Sequence, residues 1–181
     1  MSHQYYDLGY KFYKSFLSEE EFNVIRDNYQ KVANDKFYTF FQIDKTRGRT
    51  IRADNPPEYS ELLNGVVKNK LEEELDTELE PAYTYQLTYL NNSYMIPHID
   101  KPMCEVSLSI HIESNIPRLV EDDIFPLWIL DYNNKFAKFN MNPNDAVLYN
   151  GPKVVHWRNP LSFPCEVFYN QVMFHYRIKN A

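Results

Sequence analysis

Two hydrophobic periods divide the chain. In its first part Phe22, Ile25, Tyr29 and Val32 recur at three- and four-residue spacing behind Leu17-Ser18-Glu19-Glu20-Glu21. A serine followed three residues later by glutamate is a helix-start signature, because each side chain satisfies a backbone N–H that the first turn leaves without a partner. Tyr59, Leu62, Leu63, Val66, Val67 and Leu71 repeat the same spacing behind Pro56-Pro57, and proline suits the first turn of a helix. Between these two predicted helices, Phe37 to Ile43 and Arg49 to Ile51 predict short strands or an ordered loop. After Glu80 the pattern shortens. Tyr83 to Tyr89, Val106 to Ile112, Leu127 to Leu130, Ala146 to Tyr149 and Val167 to Tyr176 are brief β-branched or aromatic runs. Turn residues separate them at Asn91-Asn92, Asn133-Asn134, Asn142-Pro143-Asn144-Asp145 and Asn150-Gly151-Pro152. Helices followed by closely spaced strands predict a mainly β, α+β fold: an antiparallel sandwich or barrel with the N-terminal helices packed on one face.

Composition narrows the class. The 181 residues suit a single domain over 1–181, and a chain of that size buries roughly 70% of its unfolded surface without a covalent staple. With 44% apolar residues, 16% aromatics and 4 glycines, the composition is that of a globular fold with a bulky core and argues against disorder on the scale of the domain. Net charge is −6, and the 19 basic residues form no run able to follow a phosphate backbone, so nucleic acid is not an expected partner. No apolar stretch approaches the ~20 residues of a membrane span, and the N-terminus lacks a charged-then-apolar leader. The expectation is a cytoplasmic protein with no membrane contact. Cys104 and Cys165 lack CxxC spacing and read as ordinary thiols.

The chemistry concentrates at His98-Ile99-Asp100. On an extended strand, residues two apart project to the same face, so one ion could bridge this imidazole and this carboxylate. A histidine returning from a distant strand would complete a facial triad of two histidines and one carboxylate, a set preferred by iron(II) that leaves coordination positions open. His156 is the candidate. The same triad could serve a zinc hydrolase, but no extra carboxylate is placed to act as its general base. His111, within the alternation of Val106, Leu108 and Ile110, reads as a polar barrel lining or a satisfied buried histidine. His175 reads as the outward polar position of a core strand, Trp157 as a buried aromatic able to wall a site, and His3 as part of a loose terminus.

The frame Tyr89-Leu-Asn-Asn-Ser-Tyr-Met-Ile-Pro-His-Ile-Asp100, the run Asn144-Asp145-Ala146-Val147-Leu148-Tyr149 before His156, and the leader Ser15-Phe16-Leu17-Ser18-Glu19-Glu20-Glu21 carry a resemblance. At these residues the chain resembles the iron(II)/2-oxoglutarate-dependent dioxygenases, in particular the prolyl-4-hydroxylase-like branch, over roughly residues 14–177. The ordered set Tyr89, His98, Asp100, Asp145 and His156 is its most specific part. The resemblance implies a double-stranded β-helix (jelly roll) with Fe(II) held by His98, Asp100 and His156 at its open end. It further implies 2-oxoglutarate as cosubstrate, split with dioxygen to succinate and carbon dioxide, hydroxylation as the default outcome, and ascorbate as a reductant. A cupin-like jelly roll that binds a metal or ligand without turnover is the alternative. The pattern breaks where the family carries a basic residue after its distal histidine for the far carboxylate of 2-oxoglutarate. Here Cys165, Glu166, Val167 and Phe168 fill that stretch. Arg158, on the same strand face as His156, is the expected replacement, with Tyr89 beside it and Arg177 as second choice.

Overall fold

The structure, a computed structural model, describes residues 4–116 and 125–179. Its elements run α1 (Gln4–Leu8), β1 (Tyr10–Tyr13), α2 (Glu19–Asn34), β2 (Phe40–Asp44), β3 (Gly48–Asp54), α3 (Ser60–Asn64), α4 (Val66–Leu75), β4 (Leu79–Leu90) and β5 (Met95–His98). They continue with β6 (Val106–Ser114), β7 (Leu127–Leu130), β8 (Phe136–Phe139), β9 (Ala146–Tyr149), β10 (Val155–Arg158) and β11 (Phe168–Ile178). Two antiparallel sheets result, one ordered β1-β9-β6-β11-β4-β3-β2 and one ordered β5-β10-β7-β8. This is the expected mainly β jelly roll with helices on one face.

The helix starts follow the sequence. Ser18 caps α2 as a full capping box: its hydroxyl accepts from the Glu21 N–H, and the Glu21 carboxylate accepts from the Ser18 N–H at 2.8 Å. The second helical segment is less regular than its period predicts. A 3₁₀ turn over Pro57–Tyr59 leads into α3, and the chain breaks at Gly65 before α4. A Cβ at Gly65 would lie 2.7 Å from the Glu61 carbonyl oxygen, so the break needs glycine.

Alternation along the central strands sorts their side chains onto two faces. Leu108, Ile110 and Ile112 of β6, and Val172, Phe174 and Tyr176 of β11, face outward from the barrel into a core shared with Ile25, Tyr29, Val32, Leu63, Val67 and Leu71 of the helices. Fully burying one such side chain contributes roughly 1.5–3 kcal/mol. Polar groups on this helix-facing side reach partners across the core: the Tyr176 hydroxyl donates to the Leu63 carbonyl at 3.0 Å, and the Tyr59 hydroxyl donates to Gln86. The opposite parity, Ser107, Ser109 and His111 of β6 with Tyr169, Gln171, Met173 and His175 of β11, lines the interior. Among the described residues no helix is long and apolar enough to cross a membrane. His3 lies outside the described residues.

Candidate metal centre

The triad is assembled by strand pairing. β5 runs along the edge of the smaller sheet, which tolerates Pro97 because an edge strand has an N–H row that no ladder uses. His98, its last residue, lies directly opposite His156 of β10 in the ladder. Opposed residues share a face, and their imidazole centroids are 4.3 Å apart. Asp100 follows two residues later, fixed by its N–H donating to the Gly151 carbonyl at 2.9 Å. Its Oδ1 is 3.6 Å from Nε2 of His98 and 3.6 Å from Nε2 of His156.

Both rings are set in the tautomer a ligand needs. Nδ1 of His98 is 2.9 Å from the Ile96 carbonyl oxygen, and Nδ1 of His156 is 3.2 Å from that of Val154. A carbonyl can only accept, so each Nδ1 carries the proton and each Nε2 turns its lone pair toward Asp100. Burial pushes the His156 pKa down to about 4, so this ring is neutral at pH 7. Burial pushes the Asp100 carboxyl up, but the imidazoles of His98, His156 and His175 around it outweigh this and bring its pKa to about 2. At neutral pH the His156–Asp100 contact is therefore that of a neutral imidazole with a carboxylate, and no ion pair forms. Donor atoms of His98, Asp100 and His156 all lie within 4.8 Å of one another, a set whose chemistry fits iron(II).

A second group shares Asp100: Cys104 and His175 also bring donor atoms within 4.8 Å of it. It is the poorer set. Burial raises the Cys104 thiol pKa, its sulfur is 3.2 Å from the Tyr83 hydroxyl, and His175 Nδ1 is taken by Ser107 Oγ at 2.9 Å. The sequence reading placed His175 outward; it lies inside. β11 is buried on both faces between β6 and β4, and parity puts His175 beside Ser107, whose hydroxyl also reaches Asp100 Oδ2 at 3.4 Å.

The triad opens on a cavity of about 610 Å³ whose wall includes Tyr83, Tyr85, Tyr89, Met95, Tyr149 and Met173. Tyr89 lines it and donates its hydroxyl to the Met95 sulfur at 3.4 Å. Arg158 is fully buried inside the barrel, on the face it shares with His156, but it does not reach the cavity wall. Its Nη2 donates to Gln171 Oε1 at 2.9 Å and Nη1 to the Phe125 carbonyl, and the rings of Tyr89, Phe125 and Tyr169 surround it at 4.7–5.8 Å. Among the described residues its Nε and the Tyr169 hydroxyl have no hydrogen-bond partner. Arg177 is exposed at the end of β11. His111 stacks on Tyr169 at 4.1 Å with neither ring nitrogen in a hydrogen bond of acceptable geometry, so it is a lining residue and not a satisfied one. Trp157 has the opposite parity from His156 and stacks on Trp128 at 5.9 Å, so it does not wall the site. Asp145 is structural: its carboxylate accepts from the N–H groups of Ser15 and Asn142 and ties the leader to the β8–β9 turn.

Two further residues escaped the sequence reading. A Cβ at Gly151 would lie 2.5 Å from Asp100 Oδ2, so glycine there makes room for the carboxylate. Arg47, at the β2–β3 turn, lines the cavity with the triad.

No protein-family model matches the chain, and no curated protein matches it. Solved structures do. An oxidoreductase of the 2OG-Fe(II) oxygenase family from Burkholderia pseudomallei superposes with a TM-score of 0.76 at 12% identity, over 98% of this chain and 89% of that one. The chain has the fold of the 2-oxoglutarate/iron(II) oxygenases. A Pseudomonas putida prolyl-4-hydroxylase matches at 0.67 and 13% identity, over 96% of each chain. SnoN, an alpha-ketoglutarate-dependent epimerase from nogalamycin biosynthesis, matches at 0.71 and 8% identity, over 95% of this chain and 78% of its own. Within this shared jelly roll the chemistry therefore differs from protein to protein.

Proposed function

We propose that this chain is an iron(II)- and 2-oxoglutarate-dependent oxygenase that hydroxylates its substrate. The observation that carries the reading is the convergence of two Nε2 lone pairs and one carboxylate, with both imidazole tautomers fixed by backbone carbonyls. His98, Asp100 and His156 would hold the metal. The bound metal and 2-oxoglutarate supply the oxidant for a C–H bond, with dioxygen consumed and succinate and carbon dioxide released. This chain's residues bind and orient. Arg158 would receive the far carboxylate of 2-oxoglutarate: among the described residues its Nε and the Tyr169 hydroxyl are buried donors with no acceptor, and such groups cost roughly 1–3 kcal/mol each when left unsatisfied. Tyr89, with its ring beside the guanidinium and its side chain lining the cavity, would help Arg158 hold that carboxylate through its hydroxyl. Ascorbate fits as a reductant that keeps the metal ferrous.

The fork of Arg158 is already engaged by Phe125 and Gln171, which favours one other reading, a cupin-like jelly roll that binds a metal without turnover. Anaerobic titration with iron(II) and then 2-oxoglutarate decides between them. The oxygenase develops the weak visible charge-transfer band of the chelate and, on admitting oxygen, releases succinate. Iron uptake with neither band nor succinate overturns the oxygenase reading.

A further inference from the structure

The two arginines that reach into the cavity from the β2–β3 hairpin are not equivalent. Arg52 is neutralised: its guanidinium donates to both carboxylate oxygens of Asp54, at 2.9 and 2.7 Å from one nitrogen, and to Gln42 Oε1 at 3.2 Å. Arg47 is not. Among the described residues no carboxylate lies within 4.0 Å of its guanidinium and no hydrogen bond reaches it; the Tyr85 ring lies 5.6 Å away, and Asp44 and Asp100 act on it only at longer range. Burial disfavours this charge, and Tyr85, Tyr89, Asp44 and Asp100 offset it without touching the guanidinium, so its donors stay open to an anion. The wall around it lacks one: Asp54 belongs to Arg52, Asp100 belongs to the triad, and Lys101, also on the wall, makes no ion pair among the described residues. In a protein of net charge −6 this local excess of positive charge is specific to the cavity mouth.

Arg47 is also held in place. Asp44 Oδ1 accepts from the N–H groups of Thr46 and Arg47 at 2.6 and 2.7 Å, which closes the turn. The turn is then tied to the segment that ends in His98: Tyr94 N–H donates to the Arg47 carbonyl and Ile96 N–H to the Thr46 carbonyl, both at 3.0 Å. Ile96 is the residue whose carbonyl orients His98. One short ladder therefore fixes the position of Arg47 relative to the metal ligands, and a preorganised donor loses little freedom on binding.

Arg158 and Arg47 are thus distinct cations, one buried behind Tyr89 and one at the rim. We propose that Arg47 recognises an oxyanion, a carboxylate or phosphate, on the small organic molecule that this site oxidises, whose apolar body packs on Tyr83, Tyr85 and Met173. The assignment rests on the oxygenase reading and adds the substrate class to it.

The test loads wild-type protein with nickel(II), as a redox-inert metal, and 2-oxoglutarate, and then titrates three probes calorimetrically: 3-phenylpropionate, its neutral amide and 2-phenylethyl phosphate. Either charged probe, or both, should bind at least tenfold more tightly than the amide, and the tighter of the two identifies the oxyanion. Arg47→Gln should weaken charged-probe binding by about ten- to a hundredfold, while Arg47→Lys keeps part of the preference. Melting curves of both variants show whether each is folded, and the Lys variant keeps the test open if the Gln variant is not. Three results overturn the proposal: no probe binds, the wild type prefers neither charge nor amide, or Arg47→Gln weakens 2-oxoglutarate in place of the probes. Loading is read separately, so a protein that takes up neither nickel nor 2-oxoglutarate refutes the oxygenase reading itself, and the substrate assignment with it.

Discussion

Replacing Gly151 by alanine should damage the metal centre from outside the ligand set. The added methyl would lie 2.5 Å from Asp100 Oδ2, 2.8 Å from Asp100 Cβ and 2.8 Å from the Cys104 carbonyl oxygen. Ordinary contacts between such atoms begin near 3.5 Å, so the overlap is roughly 0.7–1 Å. The Cys104 carbonyl is backbone and accepts from Ser107 Oγ at 3.1 Å, which leaves the Asp100 side chain as the softer neighbour. It must move. Metal ligands tolerate displacements of about 0.5 Å, so a shift of that size should weaken iron(II) binding by about ten- to a hundredfold, as loss of supporting contacts does elsewhere. Crowding should also cost roughly 1–3 kcal/mol of stability, which for a domain of this size lowers Tm by about 2–12 °C. Anaerobic iron(II) titration and thermal melting of the metal-free protein measure the two effects independently. A variant with wild-type iron affinity and wild-type Tm would refute the placement of Asp100 against Gly151, and with it the triad geometry.

Three other outcomes are expected. Asp100→Ala removes the only carboxylate of the triad and should abolish stoichiometric iron(II) binding; retention of wild-type affinity, measured by the same titration, would refute the assignment. Arg158→Met should weaken 2-oxoglutarate binding by about ten- to a hundredfold with iron affinity nearly unchanged, whereas Arg177→Met, at an exposed position, should leave both at wild-type values; calorimetry with 2-oxoglutarate on the nickel-loaded protein separates them. Metal-free protein should lose stability as pH falls from about 6.5 to about 4. Burial holds His111, His156 and His175 near pKa 4 in the fold against an unfolded value near 6.5, so in that window the unfolded chain takes up protons and the fold does not. Each histidine contributes at most about 1.4 kcal/mol per pH unit there and nothing above it; a Tm independent of pH between 6.5 and 4.5 in the presence of a chelator would show that these rings are not buried as neutral groups.

The parts of the fold legible in the sequence were those governed by local rules. Ser18 and Glu21 mark the start of α2 because a capping box is local chemistry, and the two-residue spacing of His98 and Asp100 brings them together although β5 ends at His98 and the Gly151 carbonyl fixes Asp100. His156 could be paired with them only through the spacing and the family resemblance, since cross-strand register is a property of the whole sheet. Parity also misled. Val106, Leu108 and Ile110 identify one face of β6 as apolar, but a single strand does not say whether that face meets helices or encloses a site. Here it meets α2, α3 and α4, so Ser107, His111 and, across the ladder, His175 line the interior. In β11 Tyr169 and Met173 on one face are as bulky as Val172 and Phe174 on the other, so the alternation carried no signal for His175. Gly65, Gly151 and Arg47 were invisible for a common reason. Each matters through an atom distant in sequence or through a missing partner, and neither is written in the residue's own neighbourhood.

Stability and chemistry are thereby placed on opposite faces of the same strands. The helix-facing side of β4, β6 and β11 is closed and most of its polar groups are engaged, as in Tyr29 with Thr88 and Tyr59 with Gln86, although Thr84 Oγ1 and Asn170 Oδ1 have no partner among the described residues. The interior side keeps orphans: both nitrogens of His111, Nε of Arg158 and the hydroxyl of Tyr169. Folding alone would select against such groups, because each could be replaced by an apolar side chain at a gain. His111, Tyr169 and Arg158 lie against one another behind a triad whose imidazoles are already turned for coordination, as a binding site requires. The helix face can therefore hold the barrel rigid while the interior face carries polar atoms whose partners arrive only with a ligand.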